Sequence, residues 1–100
     1  MPGAPRPINP STVSVVIPCL DEEAAIGACV AAVLAHGVGE VIVVDGGSAD
    51  RTVERASGAG ARVVVERRRG YGRALLSGLA AISPGADTCL LYTSPSPRDS

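Results

Sequence analysis

Apolar positions along this chain follow two rhythms that take turns. Val13-Ser14-Val15-Val16-Ile17 is a short β-branched run closed by Pro18, the pattern of a strand covered on both faces, as in a parallel sheet. Ile26, Cys29, Val30, Val33 and Leu34 then recur at helical spacing, one apolar stripe on one face of a helix. Asp21 can cap that helix, and Glu22 and Glu23 in its first turn oppose the macrodipole. Gly37 and Gly39 end it. The alternation then repeats. Glu40 to Asp45 predicts a second buried strand, Gly46-Gly47-Ser48 a turn, and Ala49 to about Ser57 a short helix capped by Ser48 or Asp50. Ala61 to Glu66 predicts a third strand, Arg67 to Gly72 a loop and Arg73 to Ile82 a third helix. Pro84-Gly85 is a break, and Ala86-Asp87-Thr88 approaches a fourth strand.

Strand and helix in strict alternation predict an α/β chain, a Rossmann-like βαβαβαβ built from right-handed units on a parallel sheet. Such sheets bind ligands beyond the carboxyl ends of their strands. Three segments fall there: Pro18 to Glu22, Asp45 to Ser48, and Arg67 to Arg73.

Composition narrows the classes. A chain of 100 residues, 46% hydrophobic, fits one small domain or a piece of a larger one. A net charge of −1 gives no reason to expect nucleic acid or a charged membrane as partner. There is no Phe and no Trp, so packing rests on Val, Leu, Ile and Ala. The three cysteines, Cys19, Cys29 and Cys89, lack metal-ligand spacing and read as reduced, buried thiols. Residues 1–12, with four prolines and no apolar core, read as a disordered lead-in rather than a signal peptide. No apolar run approaches the roughly 20 residues that span a bilayer. A cytoplasmic protein is expected.

The chemistry sits at the predicted strand ends. Asp45 either accepts hydrogen bonds from a base or ribose, or only caps the Gly46-Gly47-Ser48 turn; its position leaves both open. Glu22 either reaches a ligand at the same edge or only compensates the helix dipole. Pro18 stops a strand and would stiffen a loop wall against a flat base. Arg67-Arg68-Arg69-Gly70-Tyr71-Gly72-Arg73 is either a solvated loop or a diphosphate cradle ahead of a helix. Gly70-Tyr71-Gly72 is only part of a dinucleotide fingerprint, since Leu75 stands where its third glycine would be. His36, the sole histidine, ends a helix and has no catalytic partner in view.

Together, VSVVIPCLDEEAAIG, EVIVVDGGSADRT and RRRGYGRALLSGL resemble the N-terminal half of a family 2 glycosyltransferase, in the branch that includes dolichyl-phosphate mannose synthase. The resemblance implies a GT-A fold whose truncated N-terminal half is a partial nucleotide-binding domain over residues 13–88. It implies an inverting enzyme with a UDP- or GDP-sugar donor. Pro18, Leu20, Glu22, Asp45, Gly46, Ser48, Gly70, Gly72 and Arg73 would line the nucleotide-sugar site. Asp21 stands where that family's P-x-x-N-E-E motif has Asn, and Gly46 where its V-D-D-G-S motif has a second Asp. The family also implies a divalent metal, Mg or Mn, on a D-x-D motif after the fourth strand. Asp87 starts that strand, so no metal ligand and no catalytic residue is assigned here. The acceptor by analogy is a polyprenyl phosphate, with the full-length protein peripheral to the membrane.

Residues 89–100 read as a non-native tail, because Cys89 to Asp99 resembles a translated sequencing-library adapter. The chain is therefore expected to stop within the fourth strand, to be inactive alone, and to fold marginally. Two other readings stand beside this one: a non-catalytic nucleotide-binding module, and a dinucleotide-binding Rossmann domain.

Overall fold

Strand and helix alternate as the apolar rhythm requires. A computed structural model describes residues 10–67, 71–83 and 85–90. A 3-10 turn, Pro10–Thr12, leads into β1 (Val13–Cys19), α1 (Glu23–Leu34), β2 (Glu40–Asp45), α2 (Thr52–Gly58), β3 (Arg62–Val65), α3 (Tyr71–Ala80) and β4 (Asp87–Leu90). The four strands form one parallel sheet in the order β3-β2-β1-β4. The first three strands step towards one edge, and the chain then crosses back to lay β4 beside β1. With right-handed crossovers, that reversal sends α3 to the opposite face from α1 and α2. The gap between β1 and β4 is the switch point of the sheet.

Burial explains why β1 and β2 read as continuous apolar runs. Val15, Ile17, Val41 and Val43 face Ile26 and Val30 of α1 and Ala56 of α2. Val16, Ile42 and Val44 form the other face, against Ala81 and Ile82 just after α3. Each fully buried Val or Ile contributes about 1.5–3 kcal/mol relative to exposure, so the central strand pair supplies most of the core. α3 rests on the sheet through Gly78, where a Cβ would come within 2.3 Å of Val16 Cγ1. A residue without a side chain is what lets that helix approach so closely. The outward side of α3 keeps Leu76 and Leu79 exposed.

Helix starts differ from the sequence expectation. α1 begins at Glu23, and its N-cap position, Glu22, makes no side-chain capping bond. Asp21 is not the cap; its backbone is left-handed, with φ of 51°. α2 begins at Thr52 rather than Ala49, because residues 48–50 are held by the loop after β1. α3 begins at Tyr71 rather than Arg73, which takes Gly72 out of the expected loop and into the helix. The expected lead-in ends in the Pro10–Thr12 turn, and residues 1–9 lie outside the described residues. Cys89 and Leu90, read as tail, stand in β4 opposite Val15 and Val16, while residues 91–100 lie outside the described residues.

Candidate functional site

At the carboxyl edge of the sheet the ladder continues past the strands. Gly46 N–H donates to the Cys19 carbonyl at 3.0 Å, and Glu66 N–H to the Asp45 carbonyl at 2.8 Å. Three chain segments are thereby fixed side by side where a ligand of such a sheet would lie.

Asp45 organises the turn that follows. Its side chain is buried, at 1% exposure. Its Oδ2 accepts from Gly47 N–H at 2.9 Å and Ser48 N–H at 2.8 Å, and the Ser48 hydroxyl donates to Oδ1. A buried carboxylate is tolerated only when its acceptors are used in this way. Of the two roles left open by the sequence, turn capping is the one this geometry displays. The turn also requires Gly47, whose φ is 97°, and across it lies the stem of Arg67, whose Cγ is 3.2 Å from where a Cβ would stand. Gly46 differs: a Cβ there would meet Leu20 Cδ1 at 3.5 Å and the Cys19 carbonyl oxygen at 3.7 Å, both ordinary van der Waals contacts.

The β1–α1 and β2–α2 loops are laced together. Asp21 N–H donates to Ser48 Oγ at 2.8 Å, and Ala49 N–H donates to Asp21 Oδ1 at 2.8 Å. Glu22 N–H donates to Thr52 Oγ1 at 2.8 Å, and Glu23 N–H to Asp50 Oδ2 at 3.4 Å. Asp50 Oδ1 also accepts from Thr52 N–H at 2.9 Å and from the Thr52 hydroxyl. The first N–H groups of α1 are thus capped by side chains 27 and 30 residues away rather than by Asp21. These bonds hold the Asp50 carboxyl below its ordinary value, the Thr52 hydroxyl being the largest cause.

With those groups engaged, the open surface of the edge among the described residues is short. Leu20 is 54% exposed and lies against exposed Gly46. Exposed Arg67 lies beside Gly47. Pro18 and Ser48 are half-buried. Glu22 is half-buried too, at a recess of about 40 Å³ with Cys19, Ala25, Ile26 and Cys29. Burial, followed by the nearby Asp45, Glu22 and Asp50 carboxyl groups, pushes the Cys19 thiol up to about 12. It stays a neutral thiol and a poor nucleophile. Arg73 is exposed on the first turn of α3, and no hydrogen bond or ion pair among the described residues joins it to this edge. Gly70 lies outside the described residues.

Sequence reasoning missed Arg67 as an individual residue, since the whole arginine run drew the reading. It also missed Thr52, although Asp50-Arg51-Thr52 is the kind of Asp/Thr pairing that closes a helix start. A second hollow among the described residues lies elsewhere. A cleft of about 310 Å³ lies at the amino ends of the strands, lined by Ser14, Gly39, Glu40, Ser83 and Ala86 among others.

Comparison with known proteins gives this edge a family. Residues 14–84 match the family model described as glycosyl transferase family 2. An uncharacterized glycosyltransferase of Mycobacterium tuberculosis (strain ATCC 25618 / H37Rv) is 48% identical over 73 residues, covering 72% of this chain and 33% of that protein. Glucosyl-3-phosphoglycerate synthase of Mycolicibacterium paratuberculosis (strain ATCC BAA-968 / K-10) is 48% identical over 81 residues, 70% of this chain and 25% of its own length. Among solved structures, glucosyl-3-phosphoglycerate synthase from Mycobacterium tuberculosis, in complex with Mn2+, UDP and glucosyl-3-phosphoglycerate, superposes with a TM-score of 0.70. It is 39% identical, with 81% of this chain and 33% of that chain covered. The chain therefore spans a third or less of the length of these curated relatives. Its four-stranded sheet is the Rossmann-like part of a GT-A fold, and the chain belongs to glycosyl transferase family 2.

Proposed function

We propose that this chain supplies the nucleotide-binding part of an inverting glycosyltransferase that takes a UDP-sugar, its base against Leu20 and Gly46 at the carboxyl edge. The observation that carries the reading is the pairing of an open Leu20–Gly46 surface with a rigidly capped Asp45 turn at the carboxyl ends of the adjacent strands β1 and β2. The 39% identical neighbour solved with UDP supports uridine over guanosine. Pro18, Glu22, Ser48, Gly70, Gly72 and Arg73 remain donor-site candidates under this proposal, and Arg67 joins them.

Relatives named for glucosyl-3-phosphoglycerate, one solved with phosphoglyceric acid and UDP-glucose, support a small phosphorylated acid as the acceptor. They turn the reading away from a polyprenyl phosphate, and the reason for a peripheral membrane location goes with it. No helix among the described residues is long and apolar enough to cross a membrane; a cytoplasmic location is proposed.

Neighbouring structures hold Mn2+ or Mg2+ with UDP. The described residues of this chain do not fit such an ion. No three His, Cys, Asp or Glu side chains gather among them, and Asp21, Asp45 and Asp50 already accept bonds from neighbouring N–H or hydroxyl groups.

Titration with UDP, followed by amide NMR, tests the reading. Shifts at Leu20, Gly46, Gly47 and Ser48, with Gly85 and Ala86 unmoved, are expected. Perturbation centred on Glu40 and Ser83, or binding of NAD in place of UDP, would overturn it. In the full-length protein, transfer from UDP-glucose to 3-phosphoglycerate separates an enzyme from a binding module.

A further inference from the structure

We infer that Asp21 is a positioning residue for the donor edge: its left-handed backbone and its carboxylate lock the two ligand-facing loops in register. The inference rests on the donor reading above and assigns the residue that sets the shape of that site.

The argument begins with direction. Leu20 and Glu22 flank Asp21, yet Leu20 is turned out to 54% exposure while Glu22 is half-buried at the recess beside Cys19. A single left-handed residue between them, φ 51°, reverses the local course of the chain. That conformation strains most residues, and Asp, Asn and Gly are the ones that adopt it readily.

The second step is the reciprocal pair of bonds. Asp21 donates its N–H to Ser48 Oγ and accepts Ala49 N–H on Oδ1, both at 2.8 Å. The Ser48 hydroxyl, which receives the first bond, itself donates to the buried Asp45. A continuous path therefore runs from the end of β2, through Ser48, to the residue that orients Leu20. Asp21 plays no part in capping α1, since Thr52 and Asp50 hold the N–H groups of Glu22 and Glu23.

Two demands meet at this position: tolerance of positive φ, and an acceptor for Ala49 N–H. Asp and Asn satisfy both, Gly satisfies only the first, and Ala satisfies neither. The Asp in place of Asn in the motif is thus a change that leaves both properties intact.

Three variants separate the demands: Asp21→Asn, Asp21→Gly and Asp21→Ala. The readouts are amide exchange at Glu22 and Glu23, whose acceptors Thr52 and Asp50 are untouched, and the Kd for UDP by calorimetry. Asp21→Asn should match the parent in both. Asp21→Gly should lose about tenfold in protection at Glu22 and Glu23 and about tenfold in UDP affinity, and Asp21→Ala should lose more. Unchanged protection in both the Gly and the Ala variant would overturn the lock, whatever UDP does. Unchanged UDP affinity with lost protection would overturn the positioning role. Failure of the parent chain itself to bind UDP would overturn the donor reading, while the exchange data would still judge the lock.

Discussion

The two ends of the sheet invite opposite readings, and the smaller opening is the more informative. At the amino ends lies the roomy cleft of about 310 Å³, where Glu40 is tied to Ser14 Oγ at 2.5 Å and to Ser83 N–H at 3.0 Å. At the carboxyl ends, among the described residues, there is a recess of about 40 Å³ beside Cys19 and Glu22. Asp21, Asp45 and Asp50 there are instead spent on backbone N–H groups of the adjoining loops. Open there, among the described residues, are the apolar side chain of Leu20, the bare Gly46 and Arg67. Volume alone would choose the amino end, whereas ligands of parallel sheets lie where strands deliver their carboxyl ends and loops. The carboxylates of Asp21, Asp45 and Asp50 hold the loops of the carboxyl end together.

The largest blow to that end should come from Asp45→Ala. Gly47 N–H, Ser48 N–H and the Ser48 hydroxyl would lose their acceptor together, each unsatisfied buried group costing about 1–3 kcal/mol. A loss of roughly 3 kcal/mol or more in urea denaturation is expected, with UDP binding abolished. A drop under about 1 kcal/mol would mean that the turn stands without its buried carboxylate. Next come the two glycines of the turn. Gly47→Ala combines a φ of 97° with contact against Arg67 Cγ, and should cost about 1–2 kcal/mol. Gly46→Ala meets Leu20 at 3.5 Å and the Cys19 carbonyl oxygen at 3.7 Å, both ordinary contacts, and should change stability by less than about 0.5 kcal/mol. Equal costs at the two positions would contradict this division of the turn into a strained half and an open half.

The sheet was legible in the sequence because β1 and β2 are covered on both faces, so burial wrote apolar runs into Val15–Ile17 and Val41–Val44. The α1 stripe was legible for the same reason, with Ile26 and Val30 buried and Cys29, Val33 and Leu34 packed beside them. The helix starts were not. Asp21 has the chemistry of a cap, but its carboxylate goes to Ala49, 28 residues along, and local patterns carry no information about such a partner. Asp45 was legible as either a turn cap or a ligand contact, because the same carboxylate at a strand end serves either purpose; its 1% exposure and its three bonds show the turn cap. Arg67 was hidden inside a run of like residues, and its stem across Gly47 depends on β3 lying next to β2.

The smallest effect is expected at the amino end and bears on whether the two ends are independent. Hydrogen bonds from the Ser14 hydroxyl, then from Ser83 N–H, hold the Glu40 carboxyl below its ordinary 4.5. A lowered carboxyl stabilises the fold at pH above its unfolded value, and that contribution disappears as pH falls through the folded value. The tie between β1, β2 and the segment after α3 should therefore weaken only below about pH 4.5. Glu40→Gln should remove most of this acid dependence while costing no more than about 0.5 kcal/mol near neutrality, where exposed charges are screened by solvent. Amide exchange at Ser83 reads the change directly. UDP affinity at the carboxyl end should be the same in the variant as in the parent, because no bond of Glu40 reaches Asp21, Asp45 or Ser48. A shift in that affinity would show that the amino end helps to hold the donor edge, and the contrast between the two ends would then be one of degree.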